Sequence, residues 1–156
     1  MIQVRRWRKI APLAAGLAVL LTVAVGPVVA QPASALVSCT GTSVFVHGGV
    51  RFTIPTNDGS TNCMLAKGNH SAAVKSLQND LNLCYSTSTS LPGSIKSFSP
   101  RLDPDSDFGD LTKAALKAAQ SNYSGILHDG VYGPQTRKTI VFPVDDGVLR
   151  CERFGA

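Results

Sequence analysis

The sequence predicts a mainly α protein: a compact three-helix bundle with an N-terminal β-hairpin extension and two disulfides. Three observations carry that reading. Apolar residues recur at helical spacing between Val74 and Cys84. Two segments of matching pattern, 24 positions apart, each run into a helical stretch. Four Cys, all beyond residue 36, supply an even set for bridging. A chain of 156 residues has room for one ordinary domain.

Residues 1–35 read as a signal peptide. Arg5, Arg6, Arg8 and Lys9 form a positive start, an apolar run follows from Ile10 to Ala30, and Ala33-Ser34-Ala35 offers small residues for cleavage before Leu36. Pro12, Gly16, Gly26 and Pro27 interrupt the run, which argues against a retained anchor. Arg5-Arg6 is a twin-arginine pair, but Trp7-Arg8 follows it, which favours the general secretory route. Leu36-Val37-Ser38-Cys39 is similar to a lipobox, yet residues 31–35 separate it from the apolar core, so release is favoured over lipidation at Cys39. Without residues 1–35 there remain 11 bases against 10 acids. A chain so near neutrality lacks the field that nucleic-acid backbones require, and nothing in it holds to a membrane once the signal is removed.

Residues 36–65 form the hairpin extension. Val44-Phe45-Val46 and Val50–Ile54 are β-rich runs around the turn His47-Gly48-Gly49. The helical domain occupies 66–156, with its core at 66–141. Val74, Leu77, Leu81 and Cys84 mark one face of a first helix that Ser71 caps. Residues 86–104, rich in Ser, Thr and Pro, read as a long loop. A second helix starts at Asp110, with Leu116, Ala119 and Tyr123 on one face, and ends at Ser124-Gly125. Pro134 opens a short third helix to about Val141, which Pro143 stops; Val148–Arg150 reads as a last strand before Cys151.

Cys39, Cys63, Cys84 and Cys151 permit three pairings. Cys39–Cys63 with Cys84–Cys151 is favoured, because each bridge then ties a terminal segment to neighbouring structure. No metal or other cofactor is indicated: there is no C-x-x-C, and His47, His70 and His128 lack ligand spacing. Asp103, Asp105 and Asp107 alternate as in a calcium loop, but Phe108 stands at the sixth position and Ala114 at the twelfth, where Gly and Glu belong.

The repeated pattern is Asp, an aromatic at +3, Gly at +4 and Thr at +7. The first unit holds Asp105, Phe108, Gly109 and Thr112; the second holds Asp129, Gly130, Tyr132, Gly133 and Thr136. Asp accepts backbone hydrogen bonds in a turn, Gly frees the backbone, and the aromatic anchors the chain where the helix begins. With Val74-x-x-Leu77-Gln78-x-x-Leu81-Asn82 before them, the two units resemble the peptidoglycan-binding domain family of three-helix type. Ser106 stands where that family usually has Gly, and Ala119-Gln120 where it has Phe-Gln.

The resemblance implies a secreted, non-catalytic module that binds cell-wall peptidoglycan. Gln78, Asn82, Tyr123, Asp129 and Tyr132 offer polar groups and aromatic faces for such a ligand. An enzyme is disfavoured, since only about 45 residues of the exported chain lie outside the bundle and they are split between its ends. A second reading on the same scaffold is a secreted protein–protein interaction module, the partner or inhibitor of an extracellular hydrolase.

Overall fold

The computed structural model describes residues 36–144 and 146–155, all within one compact unit, Ser34–Ala156. The signal-peptide reading therefore lies outside the described residues. Seven elements follow in order: β1 (Gly41–His47), β2 (Val50–Thr56), α1 (Ala72–Cys84), α2 (Asp110–Gln120), α3 (Pro134–Thr139), β3 (Val141–Val144) and β4 (Arg150–Arg153). Among the described residues no helix is long and apolar enough to cross a membrane.

The mainly α, three-helix-bundle expectation is corrected. All four strands join one antiparallel sheet in the order β1-β2-β3-β4, with α1 laid across it. The hairpin is half of this sheet rather than an extension, β3 occupies the stretch read as the end of the third helix, and β4 begins at Arg150, where the expected last strand ends. Pro143 does not terminate a helix but sits within β3. The β2–β3 ladder is the single pair Phe52↔Val144, so the missing Pro N–H interrupts no continuous ladder on that side.

Local chemistry explains each element. Gly48 and Gly49, at φ 58° and 81°, form the two-residue turn that the right-handed twist of a hairpin favours. Seven residue pairs from His47↔Val50 to Gly41↔Thr56 then set the register, which turns Phe52 and Ile54 inward and Arg51 and Thr53 outward. Ser71 caps α1, its hydroxyl accepting from the Val74 N–H at 3.3 Å. On α1, Ala73, Val74, Leu77, Leu81 and Cys84 are buried against the sheet and α2. The core is completed by Leu65, Tyr85, Phe108, Leu116, Tyr132, Ile140 and Phe142. Each large aliphatic or Phe side chain so buried contributes about 1.5–3 kcal/mol.

The disulfides are Cys39–Cys63 and Cys84–Cys151. The second joins the end of α1 to β4. Residues 86–104 form neither helix nor strand, yet they are pinned over that junction. Ile95 N–H donates to the Cys84 carbonyl at 2.6 Å, Ser97 N–H to the Tyr85 carbonyl at 2.7 Å, and Cys151 N–H to the Pro92 carbonyl at 2.8 Å. At Gly93, where φ is +74°, a Cβ would lie 2.3 Å from the Cys151 carbonyl oxygen, so only Gly lets the loop approach this closely.

Three polar groups among the described residues are buried at a loss. Asp80 on α1 has an Oδ2 without a hydrogen-bond partner among the described residues, as do the Tyr132 hydroxyl and Arg137 Nε. Burial pushes the Asp80 carboxyl well above its ordinary range. Between the unfolded value near 3.9 and the raised native one, unfolding releases a proton, so this group makes stability fall as pH rises. Asp80→Asn is expected to stabilise the protein near neutrality by about 1–3 kcal/mol and to flatten the decline in urea midpoint above pH 4. An unchanged pH profile would rule this out.

Candidate functional site

The two repeated units are built as the same device. In the first, the Gln78 amide of α1 reaches down and donates from Nε2 to Asp105 Oδ1 (2.8 Å), the Asp107 carbonyl (2.9 Å) and Thr112 Oγ1 (3.1 Å). Its Oε1 accepts from the Ser106 N–H at 3.1 Å. In the second, Gln120 at the end of α2 donates to Asp129 Oδ1 (3.4 Å), the Val131 carbonyl (3.0 Å) and Thr136 Oγ1 (3.0 Å), and accepts from the Gly130 N–H at 2.8 Å. Each helix thus ends or passes through a glutamine that clamps the turn launching the next helix. Phe108 and Tyr132 are both fully buried at the matching aromatic position.

Ser106 and Gly130 occupy equivalent positions with nearly equal φ, 71° and 72°. Gly130 is obligatory there, since a Cβ would meet the Lys113 carbonyl oxygen and Cγ, both at 2.7 Å. Asp105 and Asp129 each accept from the N–H two residues on, at 2.8 and 2.9 Å, an Asx-type turn. The Gln78 amide first, and then the Asp107 N–H, hold the Asp105 carboxyl below the usual carboxylate range.

One strip of main chain stitches the units together. Leu65 and Tyr132 exchange both N–H···O bonds, at 2.9 and 2.8 Å. Three residues on, Gly68 N–H donates to the Phe108 carbonyl and Phe108 N–H to the Asn69 carbonyl. Met64 in turn pairs with the Val37–Cys39 segment.

The five residues expected to contact a ligand part company here. Gln78 is a clamp. Asn82 is buried and holds Leu102 through its amide on both sides, at 2.9 and 2.8 Å. Tyr132 is buried. Asp129 is exposed and lines a shallow hollow with Gly133, Pro134 and Gln135. Tyr123 opens onto a groove of about 580 Å³, between the 122–126 turn and α3, which shares Gln135 with that hollow. The structure therefore brings Tyr123 and Asp129 to neighbouring surface and keeps the other three inside.

The Tyr123 ring is held from several sides. Its hydroxyl shares a 2.7 Å hydrogen bond with that of Tyr85, and the Arg153 guanidinium carbon lies 5.6 Å from the ring centroid. Arg153 Nε is itself fixed by the Thr139 carbonyl at 3.1 Å. Lys138 and Gln135 project from α3, and Asn122 closes the other wall. Sequence reasoning missed these four groove residues. Gln135 and Lys138 share an i, i+3 face of a helix that was foreseen, so helical spacing could have found them. Arg153 lies at the end of β4, beyond the Val148–Arg150 stretch read as a last strand, and left no local signal.

Among the described residues no group of three or more His, Cys, Asp or Glu is placed to hold a metal ion. No match is found among curated proteins or among solved structures. Residues 70–140 match the family model described as "Putative peptidoglycan binding domain". That span holds α1, α2, α3 and both clamped units, and it is the part of the chain that is similar to the peptidoglycan-binding family.

Proposed function

We propose that the protein is an exported, non-catalytic module that holds cell-wall peptidoglycan in the Tyr123 groove. The family match supports peptidoglycan binding in general. The observation that carries the finer reading is the groove's chemistry. An aromatic face suits a sugar ring, Lys138 and Arg153 suit the carboxylates of a stem peptide, and the Asn122 and Gln135 amides suit acetamido and peptide groups. The groove is open, as a polymer that must enter sideways requires. Two disulfides support an oxidising compartment outside the cytoplasm.

Co-sedimentation of the chain lacking residues 1–35 with insoluble sacculi tests this. The protein is expected to pellet and to remain bound in moderate salt, because a near-neutral chain has little non-specific attraction to screen. Tyr123→Ala is expected to weaken binding about tenfold. Tyr123→Phe, which keeps the ring, should retain most of it. A chain that stays in the supernatant, or a folded Tyr123→Ala protein that pellets like the parent, would overturn the assignment.

A further inference from the structure

A second surface shares no residue with the Tyr123 groove. Leu111, in the first turn of α2, is 74% exposed, the most exposed large apolar side chain among the described residues. Ala114, one turn on, is exposed too. Between them and Phe98, Pro100 and Leu102 of the long loop lies an apolar pocket of about 130 Å³, room for one large side chain. At the Leu102–Leu111 rim it runs into a hollow of about 240 Å³ lined by Asp103, Asp105, Asp107 and Asp110. Lys67 engages Asp110 at 2.7 Å and His70 engages Asp107 at 3.2 Å. Asp103 and Asp105 make no salt bridge among the described residues, and Arg101 at the pocket is the remaining cation lining this corner. A concave apolar patch this close to an excess of carboxylates has a defined complement.

We infer that this corner docks a polypeptide segment of a partner protein, one that presents a large apolar side chain followed within a few residues by lysine or arginine. The charge pattern selects that occupant. A glycan has no side chain to fill the pocket, and an anionic membrane surface or acidic peptide is repelled. A second copy of this chain is a poorer occupant: at Leu149-Arg150 the guanidinium is tied to Asp146 and Glu152, Leu111 with Lys113 belongs to the docking corner itself, and Arg51 follows Val46 only across the hairpin turn. The inference stands apart from wall binding, and a module with both surfaces would bring a partner to the wall.

The test is an amide-shift titration of the ¹⁵N-labelled chain lacking residues 1–35 with three capped peptides: Gly-Leu-Lys-Lys-Gly, Gly-Leu-Glu-Glu-Gly and Gly-Ser-Lys-Lys-Gly. The first is expected to give saturable shifts confined to residues 98–115, and the other two to bind at least about fivefold more weakly. Leu111→Ser, an exposed change that leaves the other amides unmoved, should reduce the first titration to the level of the third. Equal shifts from all three peptides, shifts centred on Tyr123, or an unaffected Leu111→Ser titration would overturn the inference. So would concentration-dependent shifts at 98–115 without peptide, which would make a second copy the occupant. Sacculus pelleting by the Leu111→Ser protein should match the parent, so the two surfaces fail or succeed separately.

Discussion

Gln120→Leu is expected to destabilise the protein by about 2–4 kcal/mol, through an orphaned main-chain donor and the loss of a shared hydrogen-bond network. The substitution keeps the bulk but removes the acceptor of the Gly130 N–H and one of the partners of the Val131 carbonyl and Thr136 Oγ1, which keep a 3.0 Å hydrogen bond to each other. Thr136 is buried and Gly130 is hemmed in by Lys113, so neither can turn to water without opening the start of α3. Each buried polar group left unpaired costs about 1–3 kcal/mol. Urea unfolding gives the total, and hydrogen exchange locates it: protection should collapse first across 130–137. Gln78→Leu should behave alike, with exchange rising across 105–113. A loss below about 1 kcal/mol at either position would show that the clamps are not what holds the units.

Removing Cys84–Cys151 by paired substitution to Ala is expected to cost about 4–5 kcal/mol, and removing Cys39–Cys63 about 3–4. The difference follows from loop closure. The first bridge spans 67 residues and the second 24, and the longer span restricts the unfolded chain more. A native-state effect adds to the first, since Cys151 also fixes the Pro92–Gly93 crossing, and β4 has only β3 beside it in the sheet. Denaturation of the two double variants checks the ranking. If the Cys39–Cys63 loss proved the larger, the entropy of the unfolded chain would not be what sets the order.

Features governed by neighbours in sequence were legible. The Gly48-Gly49 turn, the Ser71 cap, α1 ending at Cys84 and the two Asp-to-Thr units all depend on contacts within a few residues. The sheet was not. Phe52 and Val144 meet across more than ninety residues through one pair, and a four-residue strand carrying Pro143 has no local signature to set against a helix stop. Burial at the site was hidden for a related reason. Gln78 and Asn82 are polar residues on a predicted helix, where exposure is the default reading, whereas Tyr132 reads both as an inward anchor of its unit and as a ligand face. Only the return of residues 102–107 over α1, and the pairing of Leu65 with Tyr132, puts them inside. Tyr123 reaches the surface because α2 stops at Gln120, short of the Ser124-Gly125 end read from the sequence, so it leaves the face it was expected to share with Leu116 and Ala119.

The strip that joins Leu65 to Tyr132 and Gly68 to Phe108 sets a limit on modularity. Its first half, like every strand of the sheet, falls outside the 70–140 segment that matches the family model. Transplanting that segment alone into another polypeptide would strip Tyr132 of its main-chain partner and bare the faces of Leu77 and Leu81. The matched segment is shorter than the unit of folding, and a chimera must be spliced at the outer edges of the sheet to carry the fold intact.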